Sequence, residues 1–147
     1  MGFGSNGNGS ASISTASDAA LNNPINNDIL TYDSGTSKWK NAVGSSAVTV
    51  STQTSSYTLT LSDSGKAVEL TSGGATTVTV PPNSSVAFAV GTIIEVTRLG
   101  AGAVTIAAGA GVTLQSADSQ LGLRAQYSVA SLRKRATNTW LVAGDLS

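Results

Sequence analysis

Between Thr92 and Ala108 apolar and polar residues alternate, the pattern of strands with one packed and one wetted face. Ile94 and Val96 fall on one face with Val104 and Ile106 opposite them, while Glu95, Thr97 and Thr105 point the other way. Gly100-Ala101-Gly102 lies between and supplies backbone freedom for a reversal. The pattern therefore predicts a β-hairpin of Thr92–Leu99 and Ala103–Ala108. A lone hairpin is not stable in water, so further strands must cover its apolar face.

The chain offers such strands at short intervals: Ala47–Ser51, Tyr57–Leu61, Lys66–Leu70, Thr76–Val80, Ser128–Lys134 and Thr139–Ala143. Pro81 and Pro82 end the strand before them, because neither can donate to a ladder. Asp63-Ser64-Gly65 reads as a turn of the same kind as Asp33-Ser34-Gly35, and Ser116–Gly122 as a surface loop. No stretch holds a helical period. The fold class is all-β: an antiparallel β-sandwich or barrel-like body over residues 47–147.

Residues 1–46 read differently. Met1 to about Ser17 is Gly, Ser and Asn with scattered small residues, too little apolar surface to offset ordering entropy. An extended arm that orders on contact with a partner is expected. Ser17–Leu21 fits one capped helical turn before Asn22, Asn23 and Pro24 stop it. Asn27–Ala42 then reads as a small hairpin around Asp-Ser-Gly, flanked by Tyr32 and Trp39. Two strands and two aromatics do not make a domain, so this piece must dock on something.

Composition narrows the chemistry. The 147 residues carry 8 basic and 8 acidic side chains, a formal net charge of zero, which offers no steering toward nucleic acid or an anionic membrane. Polarity resides in 22 serines and 18 threonines, which make local hydrogen bonds without charge. With no Cys and no His, disulfides, thiolate metal sites, Cys nucleophiles and imidazole bases are excluded. No apolar run is long enough to span a bilayer, and MGFGSNGNGS lacks the charged and apolar regions of a signal peptide. Synthesis and retention in the cytosol are expected.

The remaining candidates each have a plain reading. Gly100, Gly102, Gly109 and Gly111 suggest a phosphate loop, but Thr105 breaks the dinucleotide spacing and no Lys-Ser/Thr follows; turns and strand ends explain them. Ser131 and Lys134, like Ser37 and Lys40, match Ser-x-x-Lys, yet residues three apart in a strand face opposite ways. Asp18, Asp28, Asp33, Asp63, Glu69, Glu95, Asp118 and Asp145 leave a glycosidase-type carboxylate pair open, since strands bring distant residues together. Arg133, Lys134 and Arg135, with Arg98 and Arg124, read as a charged strand edge or as partners across subunits for Glu69 and Glu95, with a polyanion patch as the alternative. Tyr32, Trp39 and Trp140 could stack on sugars, but packing is expected, above all for Trp140 inside Thr139-Trp140-Leu141-Val142. Asn83-Ser84-Ser85 reads as a turn.

Tyr57–Lys66, Val78–Asn83, Gly91–Val96, Gly100–Ile106, Gly111–Leu114 and Trp140–Leu146 together resemble a small β domain of virion surface proteins of tailed bacteriophages. Asp28–Ala42, a strand, an Asp-x-Gly turn, Lys-Trp and Asn, is similar to a segment of phage fibre and decoration proteins. The resemblance implies a homotrimeric β structure on capsid or tail, with no catalytic residues to carry across. It favours a capsid decoration protein or short head fibre, a minor structural component, over a tail fibre or receptor-binding module. A tail fibre needs shaft or coiled-coil sequence, and no heptads occur here. The expected partners are further copies of the chain, the major capsid protein and a host surface glycan, with no nucleic acid and no membrane insertion. No enzyme activity, cofactor or metal is expected. The expected location is the virion surface, after assembly in the host cytoplasm. Phe3, Ile13, Leu21, Tyr32 and Trp39 are the candidate partner-binding residues, with the body projecting outward.

Overall fold

The structure, a computed structural model, describes residues 17–23, 25–26, 28–43 and 47–147. Its contacts divide the chain into one compact unit ending at Ala47 and a second, Val48–Ser147. The first contains β1 (Ala19–Ala20), β2 (Asp28–Asp33) and β3 (Lys38–Val43), a three-stranded sheet in the order β1-β3-β2. The second contains β4 (Val50–Gln53), β5 (Tyr57–Thr58), β6 (Ala67–Leu70), β7 (Thr76–Val80), β8 (Ile93–Arg98), β9 (Val104–Ala108), β10 (Thr113–Gln115), β11 (Gly122–Leu123), β12 (Val129–Ala136) and β13 (Thr139–Gly144). The protein is mostly β, with short 3-10 turns at Leu61–Asp63 and Ala117–Ser119.

The larger unit has a six-stranded sheet, β10-β13-β12-β8-β6-β4, and a four-stranded sheet, β11-β9-β7-β5. From β4 to β11 the chain alternates between them, placing each strand in the sheet its predecessor left. This winding puts strands two apart side by side and in parallel: β4 with β6, β6 with β8, β5 with β7, and β7 with β9. The final β12–β13 hairpin pairs antiparallel with itself and with β8, and separates β8 from β10. Five of the eight strand pairings in this unit are parallel, so the sheets are mixed where antiparallel sheets were expected.

The hairpin predicted at Thr92–Ala108 is the clearest correction. β8 and β9 belong to different sheets, and Gly100-Ala101-Gly102 is a corner from one sheet to the other. Alternation reports which side of a strand is apolar, and it is the same whether the next strand returns beside it or crosses the core. What the glycines provide is close approach. The corner sits on the preceding one, with Gly100 N donating to Leu70 O at 2.8 Å and Gly102 N to Ser72 O at 3.0 Å. A Cβ on Gly100 would stand 2.3 Å from Ser72 O, and one on Gly102 2.0 Å from Gly74 O.

Inward positions of both sheets form one hydrophobic cluster: Val68 and Leu70, Ile94 and Val96, and Leu132 and Val142 from the larger sheet, with Val78, Val80, Val104 and Ile106 from the smaller. Each fully buried aliphatic side chain of this kind stabilises by about 1.5–3 kcal/mol relative to exposure. Trp140 lies in this cluster, 1% exposed, edge-on to Phe88 with ring centroids 5.3 Å apart. Asp63 is used differently from Asp33 despite the shared triplet. It is buried and accepts from Thr60 N, Thr60 Oγ1 and the Tyr57 hydroxyl at 2.8, 3.0 and 3.0 Å, closing the first 3-10 turn.

Two further expectations change. The helical turn at Ser17–Leu21 is replaced by a turn at Ser17–Asp18 and the strand β1, which pairs in parallel with β3. Five residues closed by Pro24 have little to gain as an isolated helical turn, whereas an open strand offers hydrogen bonds at once: Trp39 N donates to Asp18 O at 2.7 Å. The strand expected at Ala47–Ser51 lies further along, at Val50–Gln53. The expected arm lies outside the described residues except for Ser17.

Candidate functional site

The three-stranded unit is held by polar contacts. Asp33 opens the turn between β2 and β3: its Oδ1 accepts from Gly35 N at 2.9 Å and Thr36 N at 3.3 Å, and its Oδ2 pairs with Lys40 Nζ. The Lys40 ammonium, with help from Thr36 and Gly35, holds the Asp33 carboxyl down at about 2. At the other end, Asn41 Nδ2 donates to Asp28 Oδ2 at 2.7 Å and to Asn22 O at 3.0 Å, while Asn22 N donates back to Asn41 Oδ1 at 2.7 Å. Asp28 Oδ2 also accepts from Ile25 N, and these donors, Ile25 N first, lower its pKa. Asn41 thereby ties the chain entering the hairpin to the hairpin itself.

The register sets Tyr32 opposite Trp39 and Leu30 opposite Asn41 on one face, with Ala19 beside Trp39. The two rings meet edge to face at 5.3 Å and 61°. They remain wet, Tyr32 54% and Trp39 39% exposed, with Leu30 at 44%. Ile29 is exposed on the other face. None of the side chains described in this unit is buried. An apolar face of this kind gains from being covered, and the described residues of this unit contain no buried core that does so. Leu21 follows β1, half-buried, and lines a shallow hollow of about 420 Å³ with Ala20, Asn22, Lys40 and Asn41. Of the candidate partner-binding residues, the structure thus brings Tyr32 and Trp39 together, places Leu21 by the hollow, and leaves Phe3 and Ile13 outside the described residues.

The chain matches no family model and no curated protein.

In the larger unit the basic residues do not form one patch. β12 lies inside its sheet, between β13 and β8, so the strand-edge reading is corrected. Lys134 points inward and is 3% exposed, its Nζ donating to Asn83 Oδ1 and, at 2.7 Å, to Phe88 O. That contact clips the segment after Pro82 onto β12, and sequence reasoning missed it. The signal was present in Ala130, Leu132 and Lys134, since the period of two places a lysine on the apolar face. Arg124 grips Asp145 through two bonds of 2.6 and 2.8 Å, and Ser128 Oγ adds a third at 2.7 Å. The Arg124 bond leads in lowering the Asp145 pKa, as the Asp145 bond does in raising that of Arg124. Arg98 donates to the carbonyls of Leu123 and Ala101, and Arg135 to Gln115.

The other candidates resolve as geometry. Ser131 is exposed while Lys134 is buried, so that Ser-x-x-Lys pair cannot act together. Trp140 is core and leaves the sugar-stacking group. Asn83 stands in a turn closed by Ser85 N donating to Pro82 O at 2.9 Å. Asp28, Asp33, Asp63 and Asp145 are each engaged in local hydrogen bonds. Among the described residues no cluster of ligating side chains could hold a metal, and no helix is long and apolar enough to cross a membrane.

Proposed function

We propose that this chain is a structural component of a tailed-phage virion: a capsid decoration protein or short head fibre, assembled as a trimer and seated on the shell through its N-terminal region. The observation that carries the reading is the three-stranded sheet, none of whose described side chains is buried and which exposes Leu30, Tyr32 and Trp39 on one face. Such a face fits a partner that buries the two rings, the residue types that dominate protein interfaces. The resemblance of Asp28–Ala42 to a segment of phage decoration and fibre proteins supports the major capsid protein as that partner. In this reading the body, two sheets around a shared cluster, acts as a sandwich displayed outward, and its role is one of surfaces with no bond made or broken.

The test uses the full chain and shells stripped of it. Trp39→Ala and Tyr32→Ala should each weaken co-sedimentation with shells by about 2 kcal/mol or more, roughly thirtyfold. Both side chains are exposed, so the fold should be kept. Undiminished shell binding by both variants would sink the reading. A second reading, a tail-borne carbohydrate- or receptor-binding module, draws on the same wet rings. Binding of the isolated chain to host glycans, lost in Trp39→Ala, would favour it.

A further inference from the structure

We propose that copies of this chain meet through the outer face of the six-stranded sheet, pairing Glu95 of one copy with Arg133 of the next. The inference deepens the self-association in the function proposed above by naming the surface that makes it.

The cross-strand register lays this face out in rows. One runs Val50, Ala67, Glu95, Ser131 and Ala143; its neighbours run Ile93, Arg133 and Leu141, and Thr52, Glu69, Thr97 and Val129. Val50 and Ile93 are 50% and 52% exposed, and Val129 36%. Apolar side chains are spread over a sheet face whose other side already packs the core. Against this background stand four unused charges. Among the described residues, the side chains of Lys66, Glu69, Glu95 and Arg133 make no hydrogen bond and no ion pair. Glu95 and Arg133 sit on neighbouring strands, each opposite a different residue, Ser131 and Ile93.

The arrangement complements itself. Acids occupy β6 and β8, Arg133 occupies β12 on the other side of β8, and Lys66 precedes β6 beside Glu95. Copies set about a three-fold axis, as in the trimer proposed above, bring the Glu95 of each to the Arg133 of the next, with Ile93 and Val50 enclosed between them, a heterologous contact that closes into a ring. A recess of about 190 Å³ lined by Val48, Gly65, Lys66, Ile93 and Glu95 opens on this face and can receive an aliphatic side chain. A foreign partner would need to match this mixture of sign and apolarity independently, whereas a second copy supplies it automatically.

The experiment is sedimentation of the full chain carrying Glu95→Arg, Arg133→Glu or both, with circular dichroism to verify the fold. Each single swap sets like charges together and should raise the dissociation constant at least about tenfold, with the double swap restoring assembly. Ile93→Glu should dissociate the copies as well. An unchanged mass in either single swap, a double swap that stays dissociated, or a wild-type chain that remains a single copy would overturn the proposal. Shell capture by the same variants, which keep Trp39, separates failure of this interface from failure of the attachment reading.

Discussion

Replacing Gly102 by alanine tests the stacked corners that wind the body. The added Cβ would lie 2.0 Å from Gly74 O, 2.5 Å from Gly74 C and 2.9 Å from Gly73 C, all backbone atoms. Reaching ordinary contact requires the two corners to part by more than about 1 Å. That movement breaks the 3.0 Å bond from Gly102 N to Ser72 O and strains its neighbour from Gly100 N to Leu70 O. Overpacking of this kind costs about 1–3 kcal/mol, and the lost backbone bond adds about 1, for a total of about 2–4 kcal/mol. A domain of this size has about 5–15 kcal/mol in all, so the melting temperature should fall by about 10 °C or more. Gly73→Ala is the control, because a Cβ there meets nothing within 4 Å. It should be neutral or stabilise by up to about 1 kcal/mol through the unfolded chain. Thermal and urea unfolding followed by circular dichroism measure both. A Gly102→Ala variant within about 0.5 kcal/mol of wild type, or a control equally damaged, would refute corner stacking.

Thr76 is 7% exposed and its hydroxyl has no hydrogen-bond partner, so Thr76→Val should stabilise by about 1 kcal/mol in the same assays. A loss of stability would show that the hydroxyl is satisfied. Lys134→Met preserves the buried stem but removes the donor to Asn83 Oδ1 and Phe88 O, and should cost about 2–4 kcal/mol; a variant as stable as wild type would show that the clip contributes nothing. The Asp33 carboxyl, at about 2 in the folded hairpin against 3.8 ordinarily, stabilises the turn above the ordinary value and loses that contribution as pH falls through about 2. The Gly35 and Thr36 amide resonances should titrate with that midpoint. A midpoint near 3.8 would mean the Lys40 pairing does not form in solution.

Most strands were legible because their side chains obey a local rule. Thr76–Val80 reads the same in sequence and in structure, and Pro81 stops it, since alternation and a missing N–H act within a few residues. The hairpin carrying Tyr32 and Trp39 was legible for the same reason: Asp33 and Gly35 specify a turn that needs no distant contact. β10 and β11 were missed, being three and two residues long and formed only because β13 and β9 offer them an edge.

Fold class and strand positions thus follow from periodicity and turn chemistry, which are properties of short windows of chain. Partner choice does not. Whether β9 returns beside β8 or crosses to the other sheet depends on which backbone Gly100 and Gly102 approach, and that backbone, Thr71–Gly74, lies some thirty residues earlier in the chain. The direction of pairing, the burial of Lys134 and the gathering of Glu95 and Arg133 on one face all come from contacts between distant segments, whose energies no local pattern records.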